Sequence, residues 1–245
     1  MTTLTEANLE ALLRVQALDT DLDRCRVRHA SLPERAELAA IDSQLVALEQ
    51  RLAAAQAERD VVADRQASLE HNLAVVESRA ADIKKRLYGG TVSATRELQA
   101  MAAEVDSLTD RASELESRAL EAMDEREPLD ASVDNIVGEK SSLLAARATV
   151  GERLAVREAE VAAETDALNS ARAQAAANVP EELVVAYDRL RLRLGGVGIA
   201  RLVGSRCDGC HLTLAATEID HLRHQPSGTL NYCEQCGRIL VATHL

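Results

Sequence analysis

Residues 38–87 read LAAIDSQ LVALEQR LAAAQAE RDVVADR QASLEHN LAVVESR AADIKKR L, and this stretch decides the fold. Steps of three and four place Leu38, Ile41, Leu45, Leu48, Leu52, Ala55, Val62, Leu69, Leu73, Val76, Ala80, Ile83 and Leu87 on one seam. Only Arg59 and Gln66 interrupt it. A period of 3.5 sustained this long is the pattern of a left-handed coiled coil rather than of a surface helix on a globule. Such a helix needs a partner with a matching seam.

The partner follows in the same chain. Tyr88-Gly89-Gly90-Thr91-Val92-Ser93 ends the first arm, because paired glycines release a helix into a turn, and Ser93 offers a hydroxyl near the next start. A second seam then runs through Leu98, Met101, Val105, Leu108, Ala112, Leu115, Ala119, Ala122, Leu129, Val133, Ile136, Leu143, Val150, Leu154, Val161, Leu168 and Ala171. Its interruptions, Arg126, Lys140, Arg147, Arg157 and Glu164, are more numerous, and Pro128 predicts a local kink. Pairing Leu87 with Leu98 sets Arg59 level with Arg126. The two guanidiniums either make a polar layer that holds register or swing out to Glu58, Glu125 and Glu127, and the second arrangement is the expected one.

Before the first seam, Leu9, Leu12, Leu13, Val15, Leu18, Leu22 and Cys25 give an apolar stripe over a helix from about Thr5 to Ala30, with Cys25 as a small buried hydrophobe. Ser31-Leu32-Pro33-Glu34 breaks that helix, and Pro33 suits the first turn of the next. The return arm is nearly as long as both earlier helices together. The first helix therefore extends the arm; the alternative folds it back as a third helix.

Two Cys-x-x-Cys knuckles lie near the C-terminus, Cys207-Asp208-Gly209-Cys210 and Cys233-Glu234-Gln235-Cys236. Two cysteines three apart in a tight turn can face one centre, and two such turns supply four soft ligands for a tetrahedral Zn²⁺. Gly237 suits the positive φ that ends such a turn. A thioredoxin-like site needs one motif in a βαβ setting, and covalent haem attachment at Cys-x-x-Cys-His needs export, so both readings are set aside. With four thiolates in the shell, His211, His221, His224 and His244 are surplus, and one structural zinc, without an open position, is expected. Ile199–Val203 and Arg238–Thr243 read as short strands, Ala215–Arg223 as a short helix, and Pro226-Ser227-Gly228 as a turn.

These readings combine into a mainly α chain: a long antiparallel coiled-coil hairpin over 1–179, broken near 31–33 with its tip near 88–93, then a connecting helix and a small C-terminal four-cysteine zinc ribbon with short β-strands over 180–245. Composition agrees. The 245 residues include no Trp or Phe and only Tyr88, Tyr187 and Tyr232, too little aromatic bulk for a large globular core. The net charge of −12 belongs to the first 180 residues, since acids and bases balance from Glu181 onward. No apolar run approaches the roughly 20 residues of a membrane span, and Met1-Thr2-Thr3-Leu4-Thr5-Glu6 lacks signal-peptide character, so a cytoplasmic protein is expected.

With Leu87-Tyr88-Gly89-Gly90, Arg96-Glu97-Leu98, Tyr187-Asp188-Arg189-Leu190, Gly195-Gly196, both knuckles and Cys236-Gly237-Arg238-Ile239-Leu240, the chain resembles a bacterial family of C4-type zinc-ribbon proteins with a coiled-coil hairpin. That resemblance implies a regulator or adaptor. The Arg- and Ala-rich, Lys-poor usage resembles that of a high-GC bacterium.

No Ser-His-Asp set, phosphate-cradling loop or carboxylate pair is legible, so neither an enzyme nor a small-molecule substrate is expected. The leading function is a non-enzymatic adaptor with a protein partner. Tyr88 at the tip either contacts that partner or packs on its own hairpin. The alternative is a nucleic-acid binder acting through Arg189, Arg191, Arg193, Arg201 and Arg206, which the acidic stalk and the scarcity of stacking aromatics oppose.

Overall fold

The structure is a computed structural model that describes residues 5–90, 92–226 and 229–242. In chain order it contains α1 (Glu6–Ala30), α2 (Pro33–Tyr88), α3 (Thr95–Ala176), α4 (Glu181–Arg193), β1 (Ile199–Val203), β2 (Arg206–Cys207), α5 (Ala216–His224) and β3 (Ile239–Val241). Two compact units emerge, residues 37–150 and residues 1–36 with 151–245.

In the unit of residues 37–150, α2 and α3 pair antiparallel along the seams. The buried α2 residues, Ile41, Leu48, Gln66, Leu69, Ala80 and Ile83, all belong to the heptad positions. Ile83 packs with Met101 and Val105, and Leu69 with Leu115 and Ala122. Burying each large aliphatic side chain contributes on the order of 1.5–3 kcal/mol, so the seam holds the pair together. Charged residues flanking it mark the register: Arg147 donates to Asp42 at 2.6 Å, Lys140 to Glu49 at 2.8 Å, Arg51 to Glu139 at 3.2 Å and Arg79 to Glu104 at 2.6 Å. These pairs are exposed and orient the helices more than they hold them.

The interruption of the seam is organised differently from the expectation. Arg126 does not swing out to Glu125 or Glu127; it donates to Gln66 Oε1 at 3.0 Å and to Asp130 at 3.1 Å, while Arg59 approaches Asp130 at 3.7 Å. Gln66 is buried and passes its own amide hydrogen to Glu70. A polar layer therefore crosses the seam, with the buried Gln66 amide oxygen accepting from the part-exposed Arg126. Pro128 lies beside this layer, inside α3, which continues through it.

In the other unit, α1 begins at a capping box in which Asn8 N–H donates to Thr5 Oγ1 and Thr5 N–H to Asn8 Oδ1. The helix ends at Ser31, and Pro33 opens α2 as the sequence predicts. α1 runs antiparallel to the end of α3, with Arg172 bonded to Asp19 and Arg28 to Glu164.

Leu12 and Val15 of α1 join Ala175, Val179, Leu183, Tyr187, Ile199, Ile239 and Val241 in one core. The ribbon is a three-stranded sheet in the order β2-β1-β3, with β1 antiparallel to β2 and parallel to β3. β1 has the expected limits; β3 is shorter than expected, and Thr243, His244, Ser227 and Gly228 lie outside the described residues. The two-residue strand β2 has no sequence signal.

Candidate metal centre

The two knuckles have the same backbone. In the first, the N–H of His211 donates to the carbonyl of Cys207 at 2.8 Å and Cys207 N–H to Leu212 at 3.0 Å; in the second, Gly237 N–H donates to Cys233 at 2.7 Å and Cys233 N–H to Arg238 at 2.9 Å. Both turns end on a left-handed residue, Gly237 at φ 72° and His211 at φ 62°. Glycine accepts that conformation without steric cost, whereas a histidine there is strained. His211 is thus placed by the turn and meets Arg206 at 3.1 Å. Gly209 answers a different constraint: a Cβ there would lie 2.6 Å from Arg238 Cδ and 2.8 Å from Ala200 Cβ.

The turns bring Cys207, Cys210, Cys233 and Cys236 together, with all four sulfurs within 4.8 Å of one another. Cys210 Sγ and Cys233 Sγ are 3.9 Å apart. A tetrahedron with Zn–S bonds of about 2.3 Å has edges of roughly 3.8 Å, so the spacing fits zinc and is far too long for a disulfide. Cys207 and Cys233 are buried while Cys210 and Cys236 are half-buried, and Ala200, Leu202, Leu214 and Leu240 pack around them. Burial pushes the Cys207 thiol up and the Cys233 thiol up to about 12. Cys236 is opposed by burial yet ends lowered to about 7, because the Arg238 backbone and side chain and neighbouring thiols hydrogen-bond to it. Cys25 stays apart, buried on α1.

Sequence reasoning missed Glu218, which holds the second knuckle: the N–H of Glu234 donates to Glu218 Oε1 at 3.2 Å, and Glu218 Oε2 is buried without a hydrogen-bond partner among the described residues. An acid in the first turn of a short amphipathic helix has too ordinary a sequence context to reveal this.

Beneath the ribbon, Gln16 and Asp19 are buried polar residues within the apolar stripe of α1. Gln16 Oε1 accepts from Gly198 N–H at 2.8 Å, and its amide donates to the Gly196 carbonyl at 2.9 Å. Asp19 accepts from Tyr187 OH at 2.8 Å and from Arg172 Nε at 2.7 Å. Burial, then the bond to Asp19, raises the Tyr187 hydroxyl well above its ordinary value. Two polar residues inside an apolar stripe were the available signal.

The structure disperses the five arginines of the nucleic-acid reading. Arg191 bonds to Asp23 and Arg201 pairs with Glu10 in two bonds, one of 2.7 Å. Arg206 meets His211, while Arg189 and Arg193 project from α4. Tyr88, expected to pack on its own hairpin if not on a partner, is 82% exposed. Among the described residues, no helix is long and apolar enough to cross a membrane.

Comparison with known proteins agrees with this geometry. An uncharacterized protein of Mycobacterium tuberculosis, present in strains CDC 1551 and H37Rv, is 28% identical over 235 residues, covering 96% of this chain and 95% of its own length. A solved structure from Mycobacterium smegmatis superposes with a TM-score of 0.85 at 21% identity, covering 99% of this chain and 100% of that one. CT398 from Chlamydia trachomatis superposes at 0.64 with 20% identity, covering 96% and 98%. A C4-type zinc ribbon domain matches residues 206–240, and its four cysteines form the site for one structural Zn²⁺. A second family model matches residues 15–195, and the chain belongs to the family of the CT398-like coiled coil hairpin domain.

Proposed function

We propose that the protein is a non-enzymatic adaptor in which the helical hairpin presents side chains to a protein partner and the zinc ribbon, with Cys207, Cys210, Cys233 and Cys236 as ligands, is a rigid second surface. A shell of four thiolates leaves no position for water or substrate, so the metal serves to hold the ribbon folded. The observation that carries the reading is Tyr88, an aromatic side chain 82% exposed at the end of α2 in a chain with three aromatics. An aromatic held in solvent at a helix end is a ready anchor, since such residues dominate binding hot spots.

Gripping a phosphate backbone through the ribbon has less support, because Arg191 and Arg201 are committed to Asp23 and Glu10. The test is affinity capture from native cell extract with nuclease present, comparing wild type with Tyr88→Ala. A protein recovered by wild type and lost from the variant, with helicity unchanged, supports the adaptor. Recovery of nothing but nuclease-sensitive material overturns it.

A further inference from the structure

The tip of the hairpin is basic in an acidic chain. From Ile83 to Arg96 there is no carboxylate, while Lys84, Lys85, Arg86 and Arg96 give the stretch a charge of +4, against −12 for the whole molecule. Two of the three lysines in the chain are here. All four cations are exposed, and among the described residues none of them makes an ion pair, whereas Arg79, further down α2, is bonded to Glu104. Helix ends account for only part of this. Lys85 and Arg86 occupy the last turn of α2, where the dipole favours cations, but Arg96 is in the first turn of α3, where the dipole disfavours one.

Helix geometry gathers these charges around the exposed ring. Ile83 and Leu87 face the seam with Met101 and Val105, so at 100° per residue Lys84, Lys85 and Tyr88 share the outer side of α2. Tyr88 follows Lys84 by four residues and Lys85 by three, which makes the three side chains neighbours on the helix surface. Arg96, two residues before the seam position Leu98, is on the outer side of α3. We propose that the tip is the docking site for a short acidic segment of the partner protein, in which several carboxylates surround an apolar side chain that lies on the Tyr88 ring. This rests on the adaptor reading and adds the chemistry of the partner. Carboxylates answer Lys84, Lys85 and Arg96 with charge-assisted bonds, and the ring supplies apolar area. A nucleic acid fits worse: its charges recur about every 1.7 Å and run past the patch onto Glu77, Asp82, Glu104 and Asp106 of the stalk, and a single aromatic makes no stacking track. A lipid surface fits worse too, since between Val75 and Leu120 no large hydrophobic side chain but Tyr88 is exposed among the described residues.

The experiment titrates the zinc-loaded full chain to about 500 μM against a labelled peptide of glutamate pairs alternating with leucines and an oligothymidylate of equal charge, both read by fluorescence anisotropy. Phosphatidylcholine vesicles carrying about one-third phosphatidylglycerol are the third probe, read by co-sedimentation. Wild type should bind the peptide most tightly of the three, and raising salt from about 50 to 200 mM should weaken that binding. K84E/K85E/R96E, confirmed folded by circular dichroism, should bind the peptide at least about tenfold more weakly, and Tyr88→Ala at least about threefold. Peptide binding that is absent, or unchanged in either variant, overturns the proposal, and so does tighter binding of the oligothymidylate or the vesicles. In capture from native extract with nuclease present, a protein lost from Tyr88→Ala yet retained by K84E/K85E/R96E overturns the acidic partner and leaves the adaptor standing. Recovery of nothing but nuclease-sensitive material overturns both.

Discussion

Replacing Tyr187 by Phe tests whether the buried hydrogen bonds beneath the ribbon hold α4 to α1. The ring is fully buried in the core with Leu12, Val15, Ile199 and Ile239, and Phe keeps that volume, so the change carries no area or cavity cost. Asp19 loses the 2.8 Å bond from the hydroxyl but retains Arg172, so no unpaired charge is created. What remains is one hydrogen bond to a charged acceptor, worth about 1.5–3 kcal/mol. Asp19→Asn goes further, since it leaves the half-buried Arg172 facing a neutral amide; breaking a buried pair costs about 3–5 kcal/mol, and the part-exposure of Arg172 puts the expected loss near or below the lower end. The two changes share a partner, so the double variant should fall short of their sum by about 1–2 kcal/mol. Hydrogen exchange at the α4 amides of zinc-loaded protein reads this locally, which matters in a chain of two compact units where one global transition is ill defined. A Tyr187→Phe protein whose α4 exchange matches wild type within about 0.3 kcal/mol would refute the argument.

Three further outcomes are expected. Removing zinc should unfold the ribbon while most far-ultraviolet helical signal survives, because α5 has only 9 residues against 82 in α3; collapse of the helical signal on chelation would contradict this. Zinc affinity should fall as pH falls: the free Cys207 and Cys233 thiols are held protonated through the neutral range, so binding must displace at least about two protons, and a chelator-competition titration flat from pH 8 to 6 would exclude it. In the hairpin, Gln66 is buried but Arg126 is 38% exposed, so the Gln66→Leu/Arg126→Leu pair should raise the unfolding midpoint of the 37–150 unit by an amount equivalent to no more than about 1 kcal/mol; a lowered midpoint would show that the layer stabilises rather than specifies register.

Periodicity and spacing made much of this protein legible in its sequence. A heptad seam states which residues a helix buries without reference to the partner, and for that reason the spacing alone assigns Ile41, Leu48, Leu69, Ile83, Leu115 and Val133 to the interface, where all six are buried. The knuckles are equally local: two cysteines three apart prescribe a tight turn, closed by Gly237 in the second knuckle and by His211 in the first, and four thiolates prescribe the metal. Tertiary structure decided what depends on two distant segments meeting. Gln16 and Asp19 became core residues only because Gly198, Tyr187 and Arg172, more than 150 positions away, supply their hydrogen bonds. Arg126 turned inward rather than outward because Gln66 offered it a buried acceptor, and Arg191 and Arg201 were drawn into ion pairs with α1. Apolar burial has a period that a sequence displays, whereas a charged side chain chooses among partners by distances that exist only once the chain is folded.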